Sequence, residues 1–254
     1  MTTKPIILIS NDDGYQADGI TKLAAIARQL GDVVIVAPAH QQSGKSSAIT
    51  GGVPLKLTKV SEEEGMTVYS CDGTPADCVK LAFYTLFKEQ KPNLLLSGIN
   101  HGSNASVNAV YSGTIGAAME GCINHVSSIA FSSTQMDKVL DIDTAVPYIQ
   151  SIIESALKEP LPLGTMLNVN FPYGEIKEAR YCREADARWS EEYVPLADDP
   201  HSYTLAGYFE DREPNSQDTD QWALSHQTVS IVPIKVDRTD YEFLRKNNKP
   251  LKLG

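Results

Sequence analysis

Two adjacent carboxylates, Asp12 and Asp13, stand at the end of a short apolar run, Ile6-Ile7-Leu8-Ile9, and Gly14 follows at once. Side by side they repel each other unless a cation lies between them, and carboxylate oxygens suit a hard divalent one. Three more stretches carry oxygen-bearing side chains: Gln41 to Ser47, Ser97 to Asn104, and Tyr111-Ser112-Gly113-Thr114. Drawn from these, Asp12, Asp13, Ser43 and Asn100 form a carboxylate, hydroxyl and amide donor set that favours Mg²⁺ or Mn²⁺ over zinc. So lightly charged a set leaves coordination positions to water. A water acidified by the metal and oriented by a carboxylate is a competent nucleophile for a phosphate ester. Ser112, Gly113 and Thr114 precede a run of small residues, Ile115 to Gly121, that reads as a helix; its free N–H groups and positive dipole end suit a phosphate. Each piece alone has a plainer reading. Asp-Asp-Gly also makes a turn or caps a helix, and Ser112 also serves as an ordinary N-cap.

These residues share a site only if the chain brings them together. Ile6 to Ile9 is short enough to be a strand buried on both faces, with Asn11 to Gly14 as its exit. Ile20, Leu23, Ala24, Ala27 and Leu30 fall at helical spacing, and Gly31 stands where a C-terminal cap is expected. A second buried strand, Val33 to Ala37, completes a βαβ unit with parallel strands. The segment Leu55 to Cys71 reads as a hairpin around Glu62-Glu63-Glu64-Gly65. Thr74, Pro75 and Asp77 then give the N-cap, first turn and capping box of a helix, and Leu94-Leu95-Leu96 is a third strand of the same kind. In an open parallel sheet the loops at the carboxyl ends of the strands bind ligands, so the three oxygen-rich loops share one rim. A strand over Val126 to Ser132, a long helix over Ile142 to Lys158 and a strand over Met166 to Phe171 complete this pattern. Beyond Pro172 it lapses into aromatic residues set among charges and prolines up to Gln227, then a strand over Thr228 to Pro233 and a short helix over Asp240 to Lys246. The core therefore reads as residues 1–172, with 173–254 a β-rich arm that packs with another subunit and is not an independent domain.

The blocks Ile9-Ser10-Asn11-Asp12-Asp13-Gly14, Ser43-Gly44-x-Ser46, Gly73-Thr74-Pro75-x-Asp77-Cys78, Ser97-Gly98-Ile99-Asn100-x-Gly102-x-Asn104 and Tyr111 to Gly121 resemble the SurE family of stationary-phase survival phosphatases, in that family's order. Leu167 to Pro172 and Val229 to Val236 extend the likeness more loosely. The resemblance implies a Rossmann-like, mostly parallel sheet flanked by helices, with a C-terminal arm exchanged between subunits of a homodimer or homotetramer. It implies a nucleotidase releasing phosphate from nucleoside 5′-monophosphates, and from 3′ ones as an extension, with one divalent ion per subunit. Carried over, Asp12, Asp13, Ser43 and Asn100 become the metal ligands, with Asp12 or Asp13 also the base. Gly44, Asn104, Ser112, Gly113 and Thr114 surround the phosphate. The family motif varies at His101, which its nearness to the site in sequence makes a candidate acid for the leaving group or else a rim residue. Three positions depart from the family: Gln42 where relatives carry Arg, Ala48 where they carry Ser, and Tyr241 where a His follows the Asp equivalent to Asp237.

The whole chain agrees with this chemistry. Its 254 residues suit one large α/β unit, and a formal charge of -10 argues against a nucleic-acid polymer. Cys71, Cys78, Cys122 and Cys182 show no metal-binding spacing and read as buried thiols. No leader or membrane-length apolar run stands out, so the expected address is the cytoplasm, without a membrane partner. Competing classes fit less well. A haloacid dehalogenase needs Asp-x-Asp-x-Thr, and dinucleotide binding needs Gly-x-Gly-x-x-Gly after the first strand. The alternative of another class is a non-enzymatic nucleotide- or phosphate-binding module of receiver type. It would need an acceptor aspartate after its third strand, where this chain has Ser70-Cys71.

Overall fold

A computed structural model of the protein describes residues 4–135 and 142–247. The first half alternates β1 (Ile6–Ser10), α1 (Asp18–Ala27), β2 (Asp32–Pro38), β3 (Leu57–Glu63), β4 (Met66–Cys71), α2 (Pro75–Thr85) and β5 (Leu94–His101). There follow a four-residue turn of helix, α3 (Asn108–Tyr111), then α4 (Gly113–Ile123), β6 (Ser128–Ser133), α5 (Ile142–Lys158) and β7 (Thr165–Phe171). The remainder is β8 (Glu178–Tyr181), β9 (Ala187–Ser190), β10 (Tyr193–Leu196), β11 (Asp199–Leu205), β12 (Tyr208–Asp211), α6 (Asp220–Ser225), β13 (Thr228–Lys235) and α7 (Tyr241–Lys246).

One nine-stranded sheet, in the order β3-β4-β2-β1-β5-β6-β7-β13-β8, forms the middle layer. The six strands from β4 to β7 run parallel. Chain order runs outward from β1 through β2 to β4, then restarts on the other side of β1 with β5, which makes the carboxyl edge between β1 and β5 the switch point of the sheet. Alternation along the strands divides the core. Ile7 and Ile9 face α1 and α5, whereas Leu8 faces α2 and α4, and Leu94, Leu96 and Leu95 on β5 repeat the division. Strands buried on both faces need nearly continuous apolar sequence, which is why β1 and β5 carry it.

Several local expectations hold for the stated reasons. Thr74 and Asp77 form the reciprocal capping box at the start of α2, with Pro75 in the first turn. The β3–β4 hairpin turns at Glu64-Gly65, and the four cysteines are free and buried. Gly31 differs from its expected role. The helix it follows is capped by Arg28 in a right-handed conformation, and a Cβ at Gly31 would lie 2.4 Å from the Pro5 carbonyl oxygen. Close approach of two backbones, not a left-handed cap, is what requires glycine there.

The segment beyond Pro172 does more than append strands. β13 pairs antiparallel with β7, and β8 pairs parallel with β13, so both extend the main sheet. Two separate ribbons, β9 with β12 and β10 with β11, leave that sheet, and the second exposes Tyr193, Val194, Leu196, Tyr203 and Leu205. Among the described residues, no helix is long and apolar enough to cross a membrane.

Candidate active site

The turn after β1 is closed by Asn11. Its side-chain amide donates to the Gly14 carbonyl at 2.9 Å and its side-chain oxygen accepts from the Gly14 N–H at 3.1 Å. This resolves the plain reading of the acidic pair, because the turn is made by Asn11 and Gly14, and Asp12 and Asp13 are left with side chains the turn does not use. Asp12 is almost wholly buried and accepts from the Thr114 hydroxyl at 2.5 Å. Its backbone carbonyl accepts from the Gln42 N–H at 2.7 Å, which ties the start of the β2–β3 loop to the same turn. Asp13 is half-buried, and its Oδ2 is shielded from solvent with no hydrogen-bond partner among the described residues.

β5 brings the second group. Its pairing with β6 shifts register between Ser97 and Asn100, a bulge that re-aims the end of the strand. The Asn100 amide nitrogen donates to the Gly102 carbonyl at 2.8 Å, leaving its carbonyl oxygen available. His101 follows on the same strand end, close enough for its imidazole and backbone amide to act on the Asp13 carboxylate. Asn104 is buried and fastened on three sides: its amide nitrogen donates to Ser132, its backbone N–H to Asn170, and its carbonyl accepts from Asn168.

The third group is the start of α4. Ser112 is the N-cap, its hydroxyl accepting from the Ile115 N–H at 3.1 Å. Gly113 comes so close to the acidic turn that a Cβ there would lie 2.8 Å from the Asp12 Cβ. Thr114, expected beside the phosphate, donates its hydroxyl to Asp12. Ser43 and Gly44 lie on the exposed loop after β2, with the Ser43 hydroxyl accepting from Gln41 at 3.0 Å. That loop is held to the helix start by Ser46, which donates its N–H to the Tyr111 carbonyl and its hydroxyl to the Val110 carbonyl.

Electrostatics sharpen the picture. Burial raises the Asp12 carboxyl from 3.8 to about 6, against the Thr114 hydrogen bond that lowers it, and the charge of Asp13 raises it further. Asp13 is likewise raised by burial, with His101 opposing. Among the described residues neither carboxylate forms a salt bridge, and no cluster of three or more His, Cys, Asp or Glu is arranged to hold a metal. A buried and a half-buried carboxylate, one oxygen of which is unsatisfied, together with a free amide carbonyl oxygen, fit a divalent ion completed by neutral oxygens.

A pH dependence follows for the metal-free protein. Because the folded Asp12 carboxyl titrates above its unfolded value, the stability it contributes is present in full below 3.8 and is lost as the pH rises through about 6. The swing is on the order of 3 kcal/mol. Chelator-treated wild type should therefore lose more stability between pH 5 and pH 7.5 than the Asp12→Asn variant in scanning calorimetry, and Mn²⁺ should raise the wild-type melting temperature more at pH 7.5; equal losses in the two proteins would contradict this assignment.

Two features escaped the local patterns of the sequence. Asn11 carries the Asn-x-x-Gly signal of an Asx turn, overshadowed by the acids it frames. Asn168 and Asn170 sit two apart in the buried strand β7, where polar residues on one face signal a network.

The chain is similar to known proteins along most of its length. The family model described as Survival protein SurE matches residues 7–191. A protein of Phocaeicola vulgatus named 5′-nucleotidase SurE is 42% identical over 246 residues, covering 96% of this chain and 95% of the relative. One of the same name from Bacteroides fragilis is 43% identical over 244 residues, covering 95% of each. The crystal structure of the SurE protein from Aquifex aeolicus superposes with a TM-score of 0.82 at 34% identity, covering 96% of this chain and 98% of that one.

Proposed function

The chain belongs to the survival protein SurE family, and on that premise we propose that it is a 5′-nucleotidase, hydrolysing nucleoside 5′-monophosphates to nucleoside and phosphate at the rim between β1 and β5. The observation that carries the site assignment is the acidic pair itself: Asn11 takes over the turn, Asp12 is buried against Thr114, and Asp13 keeps an unsatisfied oxygen.

Asp12, Asp13, Ser43 and Asn100 would hold one Mg²⁺ or Mn²⁺. When bound, such an ion supplies positive charge between the carboxylates, acidifies water and polarises a phosphoryl oxygen. The chain's own residues divide the rest. Asp12, fixed by Thr114, serves as an anchor. Asp13, less buried and with Oδ2 free, orients the attacking water and accepts its proton. Gly44, Ser112 and Gly113 approach the phosphoryl group, the helix start providing N–H donors where negative charge builds up. Asn104 contributes what its tethered side chain leaves over, and Thr114 acts through Asp12. His101, beside Asp13, donates a proton to the departing nucleoside oxygen. Replacing His101 by Asn should lower kcat by about 100-fold in steady-state kinetics; an unchanged kcat would remove it from the reaction.

The apolar side chains of the β10–β11 ribbon support assembly of identical subunits through the arm, as a homodimer or homotetramer. The test of the activity is phosphate release from a panel of nucleoside 5′- and 3′-monophosphates with Mg²⁺, with Mn²⁺ and with chelator. Release that requires the metal and favours the 5′ esters is expected; no metal-dependent release from any of them would refute the reading.

A further inference from the structure

Asp220, in the first turn of α6, is fully buried, and a buried carboxylate is costly unless donors surround it. Its donors come from two distant segments. The Ser106 N–H reaches Oδ2 at 2.6 Å, and the Ser106 hydroxyl reaches Oδ1 at 2.7 Å. The Ala185 N–H reaches the same Oδ1 at 3.0 Å. Ser106 belongs to the loop between β5 and α3, two residues beyond Asn104. Its φ of 53° is one that a residue with a side chain keeps only when its surroundings hold it. Ala185 lies at the root of the arm, just before β9. On its other side the same loop is pinned by the Asn168, Asn170 and Ser132 bonds to Asn104. The loop that carries Asn104 to the rim thus has two fastenings, and Asp220 is the one that also grips the arm.

We propose that Asp220 is a positioning residue for the phosphate-binding loop, fixing Ser103 to Ser106 against the arm root so that Asn104 meets the substrate phosphate without prior ordering. The inference rests on the nucleotidase reading. An asparagine cannot replace it. With the amide nitrogen in place of Oδ2 it opposes the Ser106 N–H, and with the amide nitrogen in place of Oδ1 it opposes the Ala185 N–H. Either orientation sets two donors against each other and loosens one segment.

The test compares wild type, Asp220→Asn, Ser106→Ala and the double variant at saturating Mn²⁺ with a nucleoside 5′-monophosphate. Wild-type turnover is the control: its absence refutes the nucleotidase reading, whereas its presence lets the positioning role be judged separately. Asp220→Asn should raise KM by about tenfold with kcat within about threefold, because the loop must be ordered by the substrate. Ser106→Ala, which removes one hydroxyl and is the informative variant if Asp220→Asn fails to fold, should raise KM by about threefold. The double variant should be no worse than Asp220→Asn, and hydrogen exchange should quicken over residues 103–106. A purely structural loss would reduce active enzyme and so kcat, leaving KM alone. An unchanged KM in both single variants, or single effects that multiply in the double variant, would overturn the proposal.

Discussion

Replacing Asp13 by Asn should lower kcat for a nucleoside 5′-monophosphate on the order of 1,000-fold while the protein stays folded. The substitution keeps the shape of the side chain but removes the oxygen that accepts a proton and one of the two charges facing the cation. Folding should not suffer, because burial already makes the Asp13 carboxylate unfavourable in the metal-free protein. The variant should melt at the wild-type temperature or above it in the presence of chelator. Steady-state kinetics and calorimetry on one preparation check both halves. A folded variant with near-normal kcat would remove Asp13 from the chemistry.

A single methyl group at Gly113, a residue with no side chain of its own to react, should also cost activity. In Gly113→Ala the new Cβ would lie 2.8 Å from the Asp12 Cβ, 3.1 Å from its Oδ2 and 3.1 Å from the Pro75 ring. None of these atoms is the free end of a long side chain, so either Asp12 or the start of α4 must retreat, and the 2.5 Å Thr114 bond opens. Misplacing an anchor by a fraction of an ångström to an ångström costs about 100-fold in kcat/KM, and Mn²⁺ affinity should fall with it. Gly51→Ala, on an exposed stretch where a Cβ meets nothing within 4 Å, is the matched control and should behave as wild type. Full activity in Gly113→Ala would mean that Asp12 is not held where the site needs it.

The legible parts of the fold were those governed by local rules. Leu8 between Ile7 and Ile9, the Thr74–Asp77 box and the Gly65 turn each follow from periodicity or backbone chemistry within a few residues. Sheet order is a different kind of information. That β13 returns to pair with β7, and carries β8 with it, depends on contacts between residues far apart in the chain, which no local spacing encodes. The site divides in the same way. Asp12, Asp13, Ser43, Asn100 and Ser112 were visible as polar residues at strand ends and a helix start. Their mutual contacts were not: the Thr114 hydroxyl reaches back to Asp12, and Asp220 stands more than 100 residues from the Ser106 it holds. Gly31 shows the converse, a correct glycine signal with a cause that lies in Pro5, at the start of the neighbouring strand.

The central claim is that the acidic pair at the switch point is a divalent-metal centre. Its most direct test is a calorimetric titration of chelator-stripped protein with Mn²⁺ at pH 6, comparing wild type with the Asp12→Asn, Asp13→Asn double variant. The account predicts one site per chain in the wild type, with protons released on binding because Asp12 is partly protonated beforehand, and loss of that site in the folded double variant. Equal Mn²⁺ binding by both proteins would contradict it.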